Sequence, residues 1–210
     1  MQKMAAEAPN ARLEMFCDGV FAIAITLLVL EIKVPPLESV HSATDLWRDI
    51  GLLWPSFFAL VLSFILIFIS WMGHHLLLKA LDKTSNKFQA ANGIFLFTVI
   101  IIPFPTAFMA EYLNTDFAQP AVVFYSLISL LHNLGWRLLI RSCIKPVSLA
   151  KTPAHAAVIQ GLLKGNLFGT FTNVSFTIIA WWFPHIAITL STLFWSYWLY
   201  LFLYKEKLEK

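Results

Sequence analysis

The sequence predicts an all-α integral membrane protein with six membrane-spanning helices, and three observations support this prediction. Hydrophobic residues make up 59% of the 210 residues and charged residues 13%, whereas soluble domains contain roughly 45–50% and about 25%. Long apolar segments alternate with short polar connectors. Lys and Arg are concentrated at one set of helix ends. This composition leaves no room for a sizeable soluble domain, and the net charge of +3 is too small to indicate nucleic-acid binding.

Six apolar segments are long enough to cross a membrane. The first ends at Pro35-Pro36 and the second begins at Trp54-Pro55, where proline suits the first helical turn. The connector from Leu37 to Ile50 is predicted to be a polar loop. Pro103-Phe-Pro-Thr106 should kink or break the third span, and the fifth span carries polar side chains suited to hydrogen bonds between helices. The predicted spans are residues 13–34, 54–78, 91–110, 120–140, 160–183 and 186–204.

The basic residues predict the orientation of the chain. Of the 15 Lys and Arg residues, thirteen lie at helix ends that share one side of the membrane, and only Lys33 and Arg48 lie at the other. Because basic residues are retained on the cytoplasmic side, both termini of this multi-pass protein are predicted to be cytoplasmic. An even number of spans agrees with that orientation.

The first span differs from the others because charges lie close to both ends of a short apolar run. Val20–Leu30 rises only about 16 Å as a helix, short of a hydrocarbon core about 30 Å thick. Such a helix is better suited to lie among other helices, or beside water, than to face lipid. At about 100° per residue, one side carries Ile23, Leu27 and Leu30, with Thr26 at its edge.

The opposite side of this helix carries Asp18, a carboxylate that costs several kcal/mol near a membrane unless it is paired. Its candidate partners lie at the predicted cytoplasmic ends of the first three spans, and they are Arg12, Trp71, His74 and Asn92. A structural role for Asp18 is favoured over a direct role in gating.

Periodicity leaves other interpretations open. Apolar residues at positions i, i+4 and i+7 line packed cores more often than pores; if several copies surrounded an axis, the side facing it would be the one with Ile23. A proton-conducting channel or a transporter of ions or small solutes remains an alternative, although spans two, four and six lack the central charges typical of transporters. The adjacent His74 and His75 diverge by about 100° without a nearby acidic or Cys partner, so neither a metal site nor an enzyme is predicted.

Four motifs in the first half of the chain occur together in one known family. The first span opens with Arg12-x-x-x-Phe16-Cys17-Asp18-Gly19, and the second closes with Trp71-x-x-His74-His75. Asn92 opens the third span and Pro103-Phe-Pro-Thr106 closes it. Apart from one position, the first motif matches Arg-x-x-x-Phe-Ser-Asp-Gly, and the set resembles the transmembrane protein 175 family. The exception is the cysteine, which is a weaker hydrogen-bond donor than the family's serine.

This resemblance implies a potassium-permeable cation channel. Bacterial members of the family carry one six-helix unit per chain and assemble as tetramers around four first helices, whereas animal relatives carry two units and work as dimers. By resemblance, residues 1–210 form a single channel unit of a homotetramer in a prokaryotic inner membrane. Its partners would be the lipid bilayer and monovalent cations, with no cofactor other than permeant K⁺.

The resemblance also assigns residues to roles. Family pore positions correspond to Ile23, Leu27 and Leu30, which would form a hydrophobic constriction, and to Thr26. A pore without carbonyl or carboxylate ligands should show only modest selectivity for K⁺ over Na⁺. The family's other motif residues form an internal network that braces the pore helix, and here they are Arg12, Phe16, Asp18, Trp71, His74 and Asn92.

Overall fold

The computed structural model describes residues 10–144 and 149–208, and eight α-helices lie within them. In chain order they are α1 (Ala11–Leu27), α2 (Ala43–Leu52), α3 (Trp54–Ala80), α4 (Asn86–Ile101), α5 (Pro103–Tyr112), α6 (Ala118–Ser142), α7 (Pro153–Trp182) and α8 (Pro184–Leu208). Two 3₁₀ turns, Leu28–Glu31 and Leu37–Ser39, follow α1.

The all-helical prediction is confirmed. Within the two described ranges, the only strand-like pairing is an isolated antiparallel bridge between Leu81 and Ala150. Five segments of these ranges are long and apolar enough to cross a membrane, and they contain α1, α3, α4 with α5, α6 and α8. The remaining predicted span corresponds to α7, whose 30 residues provide the length. Its Asn, Ser and Thr residues lower its hydropathy.

The structure also corrects the predicted boundaries. The expected break in the third span separates α4 from α5 at Ile102, immediately before Pro103. The segment predicted as a polar loop contains α2, because the Ser42 side chain accepts a hydrogen bond from the Asp45 backbone N–H and caps its first turn. The fifth span begins earlier than predicted, at Pro153, where Thr152 provides the same kind of cap.

Polar side chains join α7 to α6, as predicted for the fifth span. The Asn166 amide donates to the Asn133 carbonyl at 3.0 Å, and the Thr170 hydroxyl donates to the Asn133 side-chain oxygen at 2.6 Å. Helices in a bilayer gain little from apolar burial against each other, so such hydrogen bonds and close packing hold them together. The hydrogen bonds place α7 against the bundle rather than in isolation among lipid tails.

Helix α1 packs on α3 and α4 through one side only. Cys17, Phe21, Ala24 and Leu28 are at most 1% exposed and belong to the apolar core formed with α3, α4 and α6. Leu13, Val20 and Ile25 pack partly buried against this core, whereas the side of α1 that carries Ile23 has no covering element within the described residues. Only 22% of the apolar window of α1 is buried, the same share as for α8 and less than the 50% of the α4–α5 segment.

Candidate functional site

The uncovered side of α1 is the side on which the sequence placed the candidate pore residues. Ile23 is 59% exposed, Leu27 39% and Leu30 70%, and Thr26 is exposed beside them. We call this side, with these four residues, the open face of α1. Helical periodicity therefore separated the covered and uncovered sides of this helix correctly at these positions.

The end of α1 is shorter and tighter than the sequence suggested. The α-helix stops at Leu27, a 3₁₀ turn covers Leu28–Glu31, and the backbone is extended at Ile32, so the span predicted to reach residue 34 ends about three residues earlier. Side chains three residues apart eclipse one another in a 3₁₀ helix. Leu30 lies in this turn three residues after Leu27 and is exposed, so the open face continues into the turn.

Thr26 is the polar member of the open face. Its hydroxyl donates to the Ile23 carbonyl at 2.9 Å. Because the hydroxyl hydrogen is used within the helix, the group presents oxygen lone pairs to its surroundings. A ligand at this level of the open face would meet an acceptor rather than a donor.

Two hydrogen bonds fasten the covered side of α1 to α3 and α4, and a third joins α3 to α4 beside them. The Trp71 indole N–H donates to Asp18 Oδ1 at 2.8 Å. His74 Nε2 donates to Asn92 Oδ1 at 2.8 Å, and Asn92 Nδ2 donates to Cys17 Sγ at 3.2 Å. We call these five residues the brace. The structure thus brings together four of the residues predicted to brace the pore helix, and it shows the thiol accepting a hydrogen bond where the family has serine.

Two other residues predicted for this network lie elsewhere. Arg12 is exposed, and among the described residues it makes no ion pair with Asp18. Phe16 is 63% exposed and faces away from the core. At about 100° per residue, both residues lie within about 20° of Ile23 around the helix, which puts them on the side of the open face. Within the described part of a single chain, neither residue takes part in the predicted internal network.

One further contact to α1 was missed by the sequence analysis. Glu14 Oε1 lies 2.7 Å from His75 Nδ1, and the His75 ring stacks on Trp71 with a centroid distance of 5.9 Å. Positions 14 and 18 are one helical turn apart, as are 71 and 75, so the two antiparallel helices contact each other at two successive levels, by a hydrogen bond at Asp18 and by proximity at Glu14. The four-residue spacing in both helices was the available signal.

The C-terminal end of the α1 segment is fixed by an exposed ion pair. Lys33 Nζ lies 2.7 Å from Glu111 Oε2 at the end of α5, and this hydrogen bond raises the pKa of Lys33. A shallow cavity of about 360 Å³ lies beside the pair, with Glu31 and Asp49 also on its walls. Three carboxylates line this cavity, and two of them are paired, Glu111 with Lys33 and Asp49 with Arg48.

Across residues 10–144 and 149–208, no group of three or more His, Cys, Asp and Glu side chains is placed to hold a metal ion. Cys17 and Cys143 are both free and buried. The site therefore consists of an apolar face with one hydroxyl group on one side of α1 and the hydrogen-bonded brace on the other.

These features define a multi-pass helical membrane protein whose first helix is braced on one side and uncovered on the other. A family model described as the endosomal/lysosomal potassium channel TMEM175 matches residues 12–103, which contain the open face and the brace. A potassium channel of a Chryseobacterium species is 30% identical over 187 residues, covering 85% of this chain and 86% of the relative. The chain belongs to the TMEM175 family.

Two other relatives match over shorter regions. A potassium channel of Chamaesiphon minutus is 41% identical over 135 residues, and one of Streptomyces collinus is 40% identical over 131 residues. Each match covers 62% of this chain, and the chain spans 66% and 62% of the two relatives. The family is one of ion channels rather than enzymes, so the prediction that the chain is not an enzyme is confirmed.

Solved structures show the same fold. A crystal structure of a lysosomal potassium-selective channel TMEM175 homolog from Chamaesiphon minutus superposes with a TM-score of 0.81 and 31% identity, covering 90% of this chain and 96% of that one. A variant of the potassium channel MtTMEM175 gives a TM-score of 0.61 at 20% identity, with 99% and 94% coverage, which shows the fold alone.

Proposed function

We propose that this protein is a potassium-permeable cation channel, in which four copies place their α1 helices around a central pore. The observation that carries the proposal is the division of α1 into a braced side and an open face. The open face includes the Thr26 hydroxyl. Gly19, which has no side chain, and the cationic Arg12 lie in line with this face toward the start of the helix. A polar atom, a small residue and a charge suit an interface between helices or a water-lined path better than lipid.

The proposed constriction is formed by Ile23, Leu27 and Leu30. Their side chains offer no oxygen to replace the hydration shell of an ion. A narrow apolar ring closes by dewetting, and conduction requires the ring to widen enough to admit partly hydrated ions. We expect the ion that dehydrates at lower cost to pass more easily, which gives modest selectivity for K⁺ over Na⁺.

Thr26 supplies the hydrogen-bonding group in this otherwise apolar path. Because its hydroxyl hydrogen is bonded to the Ile23 carbonyl, four copies would present four oxygen acceptors at one level of the pore. Acceptors stabilise a cation that has lost part of its water. The carboxylates near the C-terminal end of α1, among them Glu31, would raise the local cation concentration at that mouth.

The brace has a structural part in this mechanism. It fixes the covered side of α1 to α3 and α4, so the open face keeps its direction when the apolar ring widens. We propose that residues 1–210 form one six-helix unit of a homotetramer, multi-pass in a prokaryotic plasma membrane with both termini in the cytoplasm. The permeant K⁺ is the only ligand that the proposal requires.

Flux through purified protein in liposomes tests this function. A K⁺ gradient should drive K⁺ flux through the wild-type protein, and a Na⁺ gradient should drive a smaller flux. A proton gradient is applied to the same vesicles to measure proton flux. Ile23→Asn and Leu30→Asn should increase the K⁺ flux or weaken closure, because an amide wets the ring. Val61→Asn is a matched control, since Val61 on α3 is 49% exposed outside the proposed pore.

Three outcomes would contradict the proposal. No flux under any gradient would exclude a channel in favour of the non-channel alternatives. If both Ile23→Asn and Leu30→Asn showed the same flux as the wild type, the open face would not line the pore. A larger proton than K⁺ flux would select the proton-conducting alternative.

A further inference from the structure

The aromatic ring of Phe16 lies on the same side of α1 as the open face. Phe16 and Ile23 are seven residues apart, which places them about 20° apart around the helix and about 10 Å apart along it. Phe16 is 63% exposed. The ring therefore extends the proposed pore wall by two turns toward the N-terminal end of α1.

A gap in the side-chain wall separates Phe16 from Ile23. Gly19 lies between them on this face, and a Cβ atom built there would meet no atom within 4 Å. Val20, the neighbouring residue, is half-buried toward the core side. In a ring of four α1 helices, the level of Gly19 would be a wider chamber, bounded by Ile23 on one side and by the Phe16 rings on the other.

The charges near this chamber decide what kind of ligand it suits. Arg12 lies one turn beyond Phe16 on the same face and is exposed. The nearby carboxylates of Glu14 and Asp18 are on the covered side, where they contact His75 and Trp71. A cation at this level therefore meets aromatic faces and apolar surface, and repulsion from Arg12 one turn away weakens its binding.

We propose that four Phe16 rings, with the chamber at Gly19, form a binding site for hydrophobic quaternary ammonium cations at the N-terminal entrance of the pore. Aromatic faces attract such cations through the negative potential of the ring, and alkyl groups gain from leaving water. The inference rests on the proposed tetrameric channel, and it assigns Phe16 to the permeation path instead of the brace.

Block of K⁺ current by tetrabutylammonium tests the site. Purified full-length protein is measured in planar bilayers, with the blocker added to one side at a time. Wild-type current should be blocked from one side only. Phe16→Leu keeps an apolar side chain but removes the ring, and should raise the half-blocking concentration about tenfold, which corresponds to about 1.4 kcal/mol. Phe16→Trp should lower the half-blocking concentration, because indole binds cations best.

Two further variants separate this site from a general effect on the helix. Met15 is also 63% exposed but lies about 100° from Phe16 around the helix, so Met15→Leu should leave the half-blocking concentration within about twofold of wild type. Arg12→Gln removes a positive charge beside the entrance and should strengthen the block several-fold.

The results distinguish this inference from the proposed function. Normal K⁺ current with equal block in wild type, Phe16→Leu and Phe16→Trp would overturn the site and leave the channel intact. Block that weakens equally in Met15→Leu and Phe16→Leu would also overturn it. Absence of wild-type current would overturn the proposed function and this inference with it.

Discussion

Replacing Trp71 by Phe should show how much the brace stabilises the folded chain. The substitution removes the N–H that donates to Asp18 Oδ1 at 2.8 Å and keeps a ring that can stack between Phe68 and His75. A hydrogen bond to a charged acceptor contributes about 1.5–3 kcal/mol. Asp18 is half-buried, and water can replace part of the lost contact, so we expect about 1.5 kcal/mol, at the lower end of that range.

The assay is thermal unfolding of purified protein in detergent. For a chain of this size, about 1.5 kcal/mol lowers the unfolding temperature by roughly 3–6 °C. Trp182→Phe is the matched control, because Trp182 is 67% exposed and should lose little. In the Asp18→Asn background, Trp71→Phe should cost less, since the acceptor is no longer charged. Equal unfolding temperatures for the Trp71 and Trp182 variants would refute the reasoning.

Two pairs of substitutions test the packing of the bundle by the same unfolding assay. Cys17→Ser should unfold within about 2 °C of wild type, because serine also accepts a hydrogen bond from Asn92. Cys17→Ala leaves that amide unpaired and should lower the free energy of unfolding by about 1–3 kcal/mol. Equal losses in the two variants would contradict the hydrogen bond. Gly135→Ala should lower the unfolding temperature, since its Cβ would lie 3.3 Å from Thr98, whereas Gly161→Ala meets no atom and should raise it by helix propensity. Equal shifts in the two glycine variants would argue against the tight α4–α6 crossing.

Much of the fold follows from hydropathy alone. Long apolar segments mark the spans, and Pro103 marks the break between α4 and α5 because proline clashes with the preceding helical turn. Helix α2 escaped prediction because its ten residues have low hydropathy and its apolar residues Leu46, Trp47 and Ile50 are interspersed with polar ones. Only its N-terminal Ser42 cap and an amphipathic spacing indicated a helix.

The candidate site was predictable to the extent that it depends on angles around one helix. Periodicity separated Ile23 from Phe21, and proximity at the helix ends paired Asp18 with Trp71. The place of Phe16 in the brace stays a prediction from resemblance, and in the single chain its ring is exposed on the same side as Ile23, as the 100° rule places it. The Glu14–His75 contact depends on the register between α1 and α3, which no single helix encodes.

Disulfide cross-linking between copies tests the central claim, that the open face of α1 surrounds an axis, most directly. Ile23→Cys and Leu28→Cys are compared in membranes, in a background with Cys17→Ser and Cys143→Ser. A disulfide needs Cα atoms within about 7 Å, and Leu28 is 1% exposed within its own chain. We expect oxidation to link Ile23→Cys chains into dimers while Leu28→Cys chains stay monomeric. Dimers of Leu28→Cys with none of Ile23→Cys would contradict the account.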